Sequence, residues 1–127
     1  MRLYGFVMYN LSGIQKGIQF AHAALEYAKN HGDDTVFQEF INYHKTIVIL
    51  DGGGSNDMIE RLSELKALGI STAKFYEPDL NDSLSAIVFI IPESVYSIDM
   101  KNPDWAVVDD YDYSVKDYLS KFRLASN

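Results

Sequence analysis

The chain contains no cysteine among its 127 residues. Neither a disulfide framework nor a thiolate metal site can form, which fits a reducing compartment such as the cytoplasm. It also lacks any apolar run approaching the roughly 20 residues that cross a bilayer. Met1-Arg2 leads straight into a short strand candidate, not into the long apolar stretch of a secretory leader. No Pro/Ser-rich linker, repeat or low-complexity tract marks a second domain. Basic charge is scarce: 11 Lys and Arg stand against 18 Asp and Glu, a formal net charge of −7. Phosphate backbones bind basic surfaces, so that balance counts against a nucleic-acid partner. The acids crowd toward one end, however, at Asp99, Asp104, Asp109, Asp110, Asp112 and Asp117. A local basic surface elsewhere stays open.

What is present is a 47% hydrophobic composition, which excludes a disordered chain, in a length that suits one domain with a real core. The most informative stretch runs from Ser12 to Tyr27. At 100° per residue it carries Ile14, Ile18, Ala21 and Leu25 on one side and Phe20, Ala23, Ala24 and Tyr27 on another. Between them lies a narrow polar stripe of Gln15, Gln19, His22 and Glu26. A helix apolar around most of its circumference is normally buried, so this seam either faces water beside the sheet or lines a site. Ser12 and Gln15 fit a capping box, and Asn30-His31-Gly32 supplies the stop after Lys29.

The segment Leu3 to Tyr9 reads as a strand, so the chain opens strand, loop, helix, with the loop at the strand's carboxyl end, where ligands bind in open α/β sheets. Further on, Asp33 or Asp34 caps a short second helix bearing Val36, Phe37, Phe40 and Ile41. Lys45 to Leu50 is a continuous apolar run of the kind found in central strands covered on both faces. Met58 to Leu68 is an amphipathic helix with Ile59, Leu62, Leu65 and Leu68 on one side and Gly69 as its stop. Strands follow at Ser71–Tyr76 and at Ser85–Ile91, the latter ended by Pro92, and a last helix is expected over Ser114–Phe122. Alternating strands and helices imply an α/β fold: a three-layer sandwich in which helices flank a mixed four-stranded sheet. Residues 1–92 form its core, and 93–127 form an acidic, aromatic extension packed on it.

Several chemical motifs are weak. Asp51-Gly-Gly-Gly-Ser-Asn-Asp joins a strand to a helix but has the spacing of neither a P-loop nor a dinucleotide fingerprint, and a flexible connection capped by Ser55 or Asp57 explains it. His22, His31 and His44 have no second ligand at metal-like spacing, so no metal is expected. Among alanines on a helix, His22 reads as a packed, hydrogen-bonded ring. The loop Glu77-Pro-Asp-Leu-Asn-Asp is either an ordinary polar turn or a carboxylate presented to the first helix.

The segment Gln15-Lys-Gly-Ile-Gln-Phe-Ala-His-Ala-Ala resembles the signature of class II peptidyl-tRNA hydrolases, in which a lysine near the helix start precedes Gln-x-Ala/Ser-His-Ala. The likeness continues through Lys45–Leu50, the helix at Met58–Leu68, and the pair Ser83 and Ser85, similar to the family's Thr-x-Thr before its last strand. It spans about Leu3 to Pro92. Two departures stand out. Counted back from His22, the family's lysine position holds Gln15, and Lys16 comes one residue, or 100° of helix, later. Glu77-Pro78-Asp79 replaces the family's Asp-Ala-Gly loop.

The resemblance implies the family's fold, a homodimer, no cofactor and no membrane partner, and an activity: hydrolysis of the ester joining a peptide to tRNA. Carried onto this sequence, it makes Lys16 the cation at the oxyanion or a terminal phosphate, and Asp79 or Glu77 the carboxylate that orients water. Gln15, Gln19, Ser83 and Ser85 position the substrate, and His22 is structural. The two departures and the acidic charge motivate an alternative, a non-catalytic relative serving as a binding module.

Overall fold

The two strands with the most continuous apolar sequence, Arg2–Met8 (β1) and Ser83–Ile91 (β4), lie side by side at the centre of the sheet. In the computed structural model, which describes residues 1–127, they pair antiparallel with Tyr4 opposite Phe89 and Phe6 opposite Ile87. Thr46–Gly53 (β2) runs parallel to β1 on one side, and Ala73–Glu77 (β3) runs antiparallel to β4 on the other. The order β2-β1-β4-β3 makes a mixed, open four-stranded sheet. Alternation along each strand divides the core into two faces. Tyr4, Phe6, Ile87, Phe89 and Ile91 point to one, and Leu3, Val7, Ala86, Val88 and Ile90 to the other.

Helices cover both faces. Gly13–His31 (α1) and Thr35–Glu39 (α2) lay Phe20, Ala23, Tyr27 and Phe37 on the second face. Ser55–Ala67 (α3) lays Met58 and Leu65 on the first. The chain beyond Pro92 completes that layer. Its helices Glu93–Tyr96 (α4) and Asp110–Ser120 (α5) bring Val95, Val115 and Leu119 into the cluster that holds Phe6 and Phe89. The architecture is the expected α/β one, with a mixed four-stranded sheet between helices.

Local sequence sets the element ends. The Ser12 hydroxyl accepts the Gln15 N–H at 3.2 Å, as a capping serine should. Helix α2 starts after Asp34 and passes into a single π turn, Phe40–His44, ended by Lys45 at φ 59°. At the start of α3 the Asp57 carboxylate accepts the Gly54 N–H at 2.9 Å, and Gly69 beyond its end adopts φ +74°, a conformation glycine takes without steric cost. Gly5 serves packing instead. A Cβ there would sit 2.5 Å from the Phe20 ring and 2.8 Å from the Ile87 carbonyl, so its absence lets α1 rest directly on β1.

The first helix stops where Asn30-His31-Gly32 was expected to stop it, ending at His31 with Gly32 as a right-handed C-cap, φ −59°. Two expectations are corrected. The run Lys45–Leu50 is an edge strand, not a central one, and Ile47 is 53% exposed. Its apolar sequence reflects helices above and below, while its outer edge is closed only near Asp51, where Arg123–Ala125 pairs with it. There the Asp51 N–H donates to the Arg123 carbonyl and the Ala125 N–H to the Ile49 carbonyl, each at 2.9 Å. Finally, Ile14, Ile18 and Leu25, apolar by sequence, lie on the outer side of α1, with Leu25 68% exposed. The sheet instead takes Lys16, Gln19, Phe20, Ala23 and Tyr27.

Leu119 tests how far the extension belongs to the core. Leu119→Ala removes a side chain that is 6% exposed, and it is expected to lower the unfolding free energy by about 2–4 kcal/mol in urea titration. A loss below about 1 kcal/mol would make α5 peripheral.

Candidate functional site

Gln19 is the polar residue that α1 turns inward, and it is 2% exposed. A buried amide is costly unless both of its ends are bonded. Here Gln19 Nε2 donates to Glu77 Oε2 at 2.8 Å, and Gln19 Oε1 accepts from the Ser85 hydroxyl at 2.6 Å. Only this orientation of the amide offers a donor to the carboxylate and an acceptor to the hydroxyl. Ser85, fully buried at the start of β4, also lies 3.1 Å from the Phe75 carbonyl. Its one proton goes to the nearer acceptor on Gln19.

Glu77 ends β3 and turns the chain into a 3₁₀ turn, Pro78–Leu80. Its second oxygen accepts the Asp79 N–H at 3.2 Å. The Gln19 amide first, and the Asp79 N–H second, hold the Glu77 carboxyl below its ordinary value of 4.5, with a lesser contribution from nearby His22. The His22 ring lies flat on Phe75, centroids 4.4 Å apart and planes 13° off parallel.

Beside this cluster opens a cleft of about 440 Å³, walled by Gln15, Gln19, His22, Glu77 and Asp79, with Leu11, Ile18 and Leu80. Three of the four residues of the polar stripe read along the first helix, Gln15, Gln19 and His22, therefore line a cavity, and Glu26 does not. Glu77 and Asp79 face it from the opposite wall. Asp79 is exposed, while Glu77 is half-buried.

Two of the sequence-derived residues lie elsewhere. Ser83 bonds the Leu80 carbonyl at 2.6 Å and closes the turn before β4. Lys16 is 7% exposed, and its ammonium donates to the Ser126 carbonyl. It lines a separate cleft with Gly13, Gly17, Ile49 and Ala125. The first turn of α1 is regular, with Lys16 N–H bonded to the Ser12 carbonyl at 2.9 Å, so the 100° offset from Gln15 persists. No lysine or arginine lines the cleft that holds Glu77 and Asp79.

Sequence reading missed Phe75 as the platform under His22, and Ser126 as the partner of Lys16. A period-two reading extended through Glu77 would have put Phe75 on the α1 side of β3. Nothing local to residues 123–126 announces their return to β2. No group of His, Cys, Asp and Glu is arranged to hold a metal ion. No helix is long and apolar enough to cross a membrane. No protein-family model matches the chain, and no curated protein matches it significantly.

The Gln19 bond sets a pH dependence. A carboxyl depressed in the folded state stabilises the fold fully above its unfolded value, 4.5. That contribution is lost as pH falls through the lower folded value. In a carboxyl NMR titration Glu77 is expected to titrate below ordinary glutamates, and Gln19→Leu is expected to move it up. An unchanged titration in that variant would remove the amide as the cause.

Proposed function

We propose that this chain is a divergent relative of the class II peptidyl-tRNA hydrolases, and that the cleft beside α1 hydrolyses the ester between a peptide and the 3′ end of tRNA. One observation carries the reading. Gln19 and Ser85, from two distant segments on which the resemblance rests, are bonded directly to each other, and the acidic loop standing in for the family's Asp-Ala-Gly loop bonds the same amide.

Ester hydrolysis needs a water, a group to take its proton, and donors for the oxyanion. Between the two carboxylates the proton acceptor is Asp79. Glu77 is already engaged by two donors, whereas the exposed Asp79 carboxylate bonds to no protein group and is free to accept. Glu77 serves instead to fix Gln19 and the loop. Water attacks the ester carbonyl as Asp79 takes its proton, the tetrahedral oxyanion forms, and its collapse expels the ribose oxygen, to which Asp79 returns the proton. Gln15 and His22 share the cleft wall and offer N–H donors to the developing charge. Lys16 has no part in this scheme while its ammonium is held by Ser126.

A second reading, a binding module without turnover, is favoured by that same engagement of Lys16 and by the absence of other cations from the cleft.

The test is hydrolysis of an N-acetylaminoacyl-tRNA by the purified protein. Turnover by the wild type is expected to fall on the order of 10² in kcat/KM for Asp79→Asn. Lys16→Met is expected to stay within about threefold of wild type, since it removes no group from the reacting cleft. Tight binding of the ester with no turnover above the uncatalysed rate would instead establish the binding module.

A further inference from the structure

At the opposite end of β4 from Ser85, the two helix layers curve around the strand end and leave a second cleft. Six residues of extended chain separate Ser85 from Ile91, so the two sites lie roughly 20 Å apart. This second cleft has a volume of about 280 Å³. Tyr27 of α1, Asp34 and Val36 at the start of α2, Ile70 after α3, Ile90 at the end of β4, and Asp112 and Val115 of α5 all contribute to it.

Tyr27 makes this cleft unusual. The residue is only 4% exposed, yet its hydroxyl bonds to no protein group. Every fully enclosed polar side-chain atom has a hydrogen-bond partner except Arg61 Nε, which sits 2.6 Å from Glu64 Oε1, so the Tyr27 hydroxyl keeps an opening, and the cleft that Tyr27 lines provides it. A phenol this deep ordinarily finds a partner inside the protein. Burial first, and then the Asp34 charge, raise the Tyr27 pKa, so the group stays a neutral hydroxyl.

Two carboxylates accompany it. Asp112 is half-buried and makes no ion pair, and the exposed Asp34 at the cleft's mouth has one oxygen 3.3 Å from His31 Nδ1. No lysine or arginine side chain lines the cleft, whose walls also include the N-terminal residue Met1 and are otherwise mainly aliphatic.

We propose that this cleft is a binding site for a small primary amine with an apolar body. An ammonium carries donors for the Tyr27 oxygen and for the carboxylates that share the cleft with it, while a ring or branched chain covers Ile70, Ile90 and Val115. The site is independent of the proposed hydrolase cleft, and its fate does not depend on that reading.

The experiment follows isoleucine and valine methyl resonances of the full chain at neutral pH during titration with 2-phenylethylamine and with its uncharged counterpart 2-phenylethanol. The amine is expected to shift the methyls of Ile70, Ile90 and Val115 saturably, and to bind about tenfold more tightly than the alcohol. Tyr27→Phe and Asp112→Asn, both close in shape to the native residues, are each expected to weaken the amine by about threefold or more. Their unperturbed methyl spectra would show that the fold is kept. If either variant loses its native spectrum, the comparison of amine with alcohol on the wild type decides alone. Equal affinity for amine and alcohol, absence of shifts at these methyls, or wild-type affinity in both folded variants would overturn the proposal.

Discussion

The Gln19 amide is the joint on which the functional end of the molecule depends. It is the polar side chain that α1 buries against the sheet's β3–β4 side, and burying it is tolerable only because Glu77 and Ser85 meet its two ends. That requirement fixes more than one residue. It sets the rotation of α1 about its own axis, which decides that Phe20, Ala23 and Tyr27 face the core while Ile14, Ile18 and Leu25 face out. It also anchors the end of β3 through Glu77 and so places the turn that carries Asp79. Hydrophobic packing alone would not choose that rotation, because α1 offers apolar side chains on two sides. The polar contact breaks the tie.

The same constraint explains why some of the architecture was legible in the sequence and some was not. β1, β4 and the long helices announced themselves, because period-two and period-3.6 patterns report burial wherever one face is covered. The stripe Gln15, Gln19, His22 was visible as a polar seam, and it does line a cleft. Periodicity could not tell which of the two apolar sides of α1 would be buried, since that depends on Gln19's partners 58 and 66 residues later. The edge position of β2 was hidden for a related reason. Ile49 and Leu50 are covered from above and below, and a strand's sequence records its faces but not its lateral neighbours.

Site residues divide along the same line. Gln19, Ser85 and the Glu77–Asp79 loop come together because the first helix crosses the β3–β4 side of the sheet, where β3 ends and β4 begins. Lys16 was harder to place. Its chemistry suggested a reacting cation, but one step of helix rotation carries it to the β2 side of α1, where Arg123–Ala125 closes the edge and Ser126 accepts its ammonium. A residue with three donors and little exposure needs acceptors nearby, and the returning chain supplies one. Sequence spacing revealed the rotation but not the acceptor.

Gly5 has a consequence for motion. Because α1 rests on β1 where a single methyl group would collide with Phe20 and the Ile87 carbonyl, the helix has little room to slide or tilt on the sheet. The α1 wall of the Gln19 cleft is therefore stiff. The facing wall is different, since the turn after Pro78 holds Asn81 and Asp82 both at φ 55°, a conformation that side chains other than glycine adopt with some strain. The two walls are thus held differently: Gln19, Ser85 and the Glu77 carboxylate are locked to one another, while the turn carrying Asp79 is held by the Asp79 N–H on Glu77 and the Ser83 hydroxyl on the Leu80 carbonyl. A change in the length or sequence of that short turn would therefore reshape the cleft without disturbing the seat of the helix.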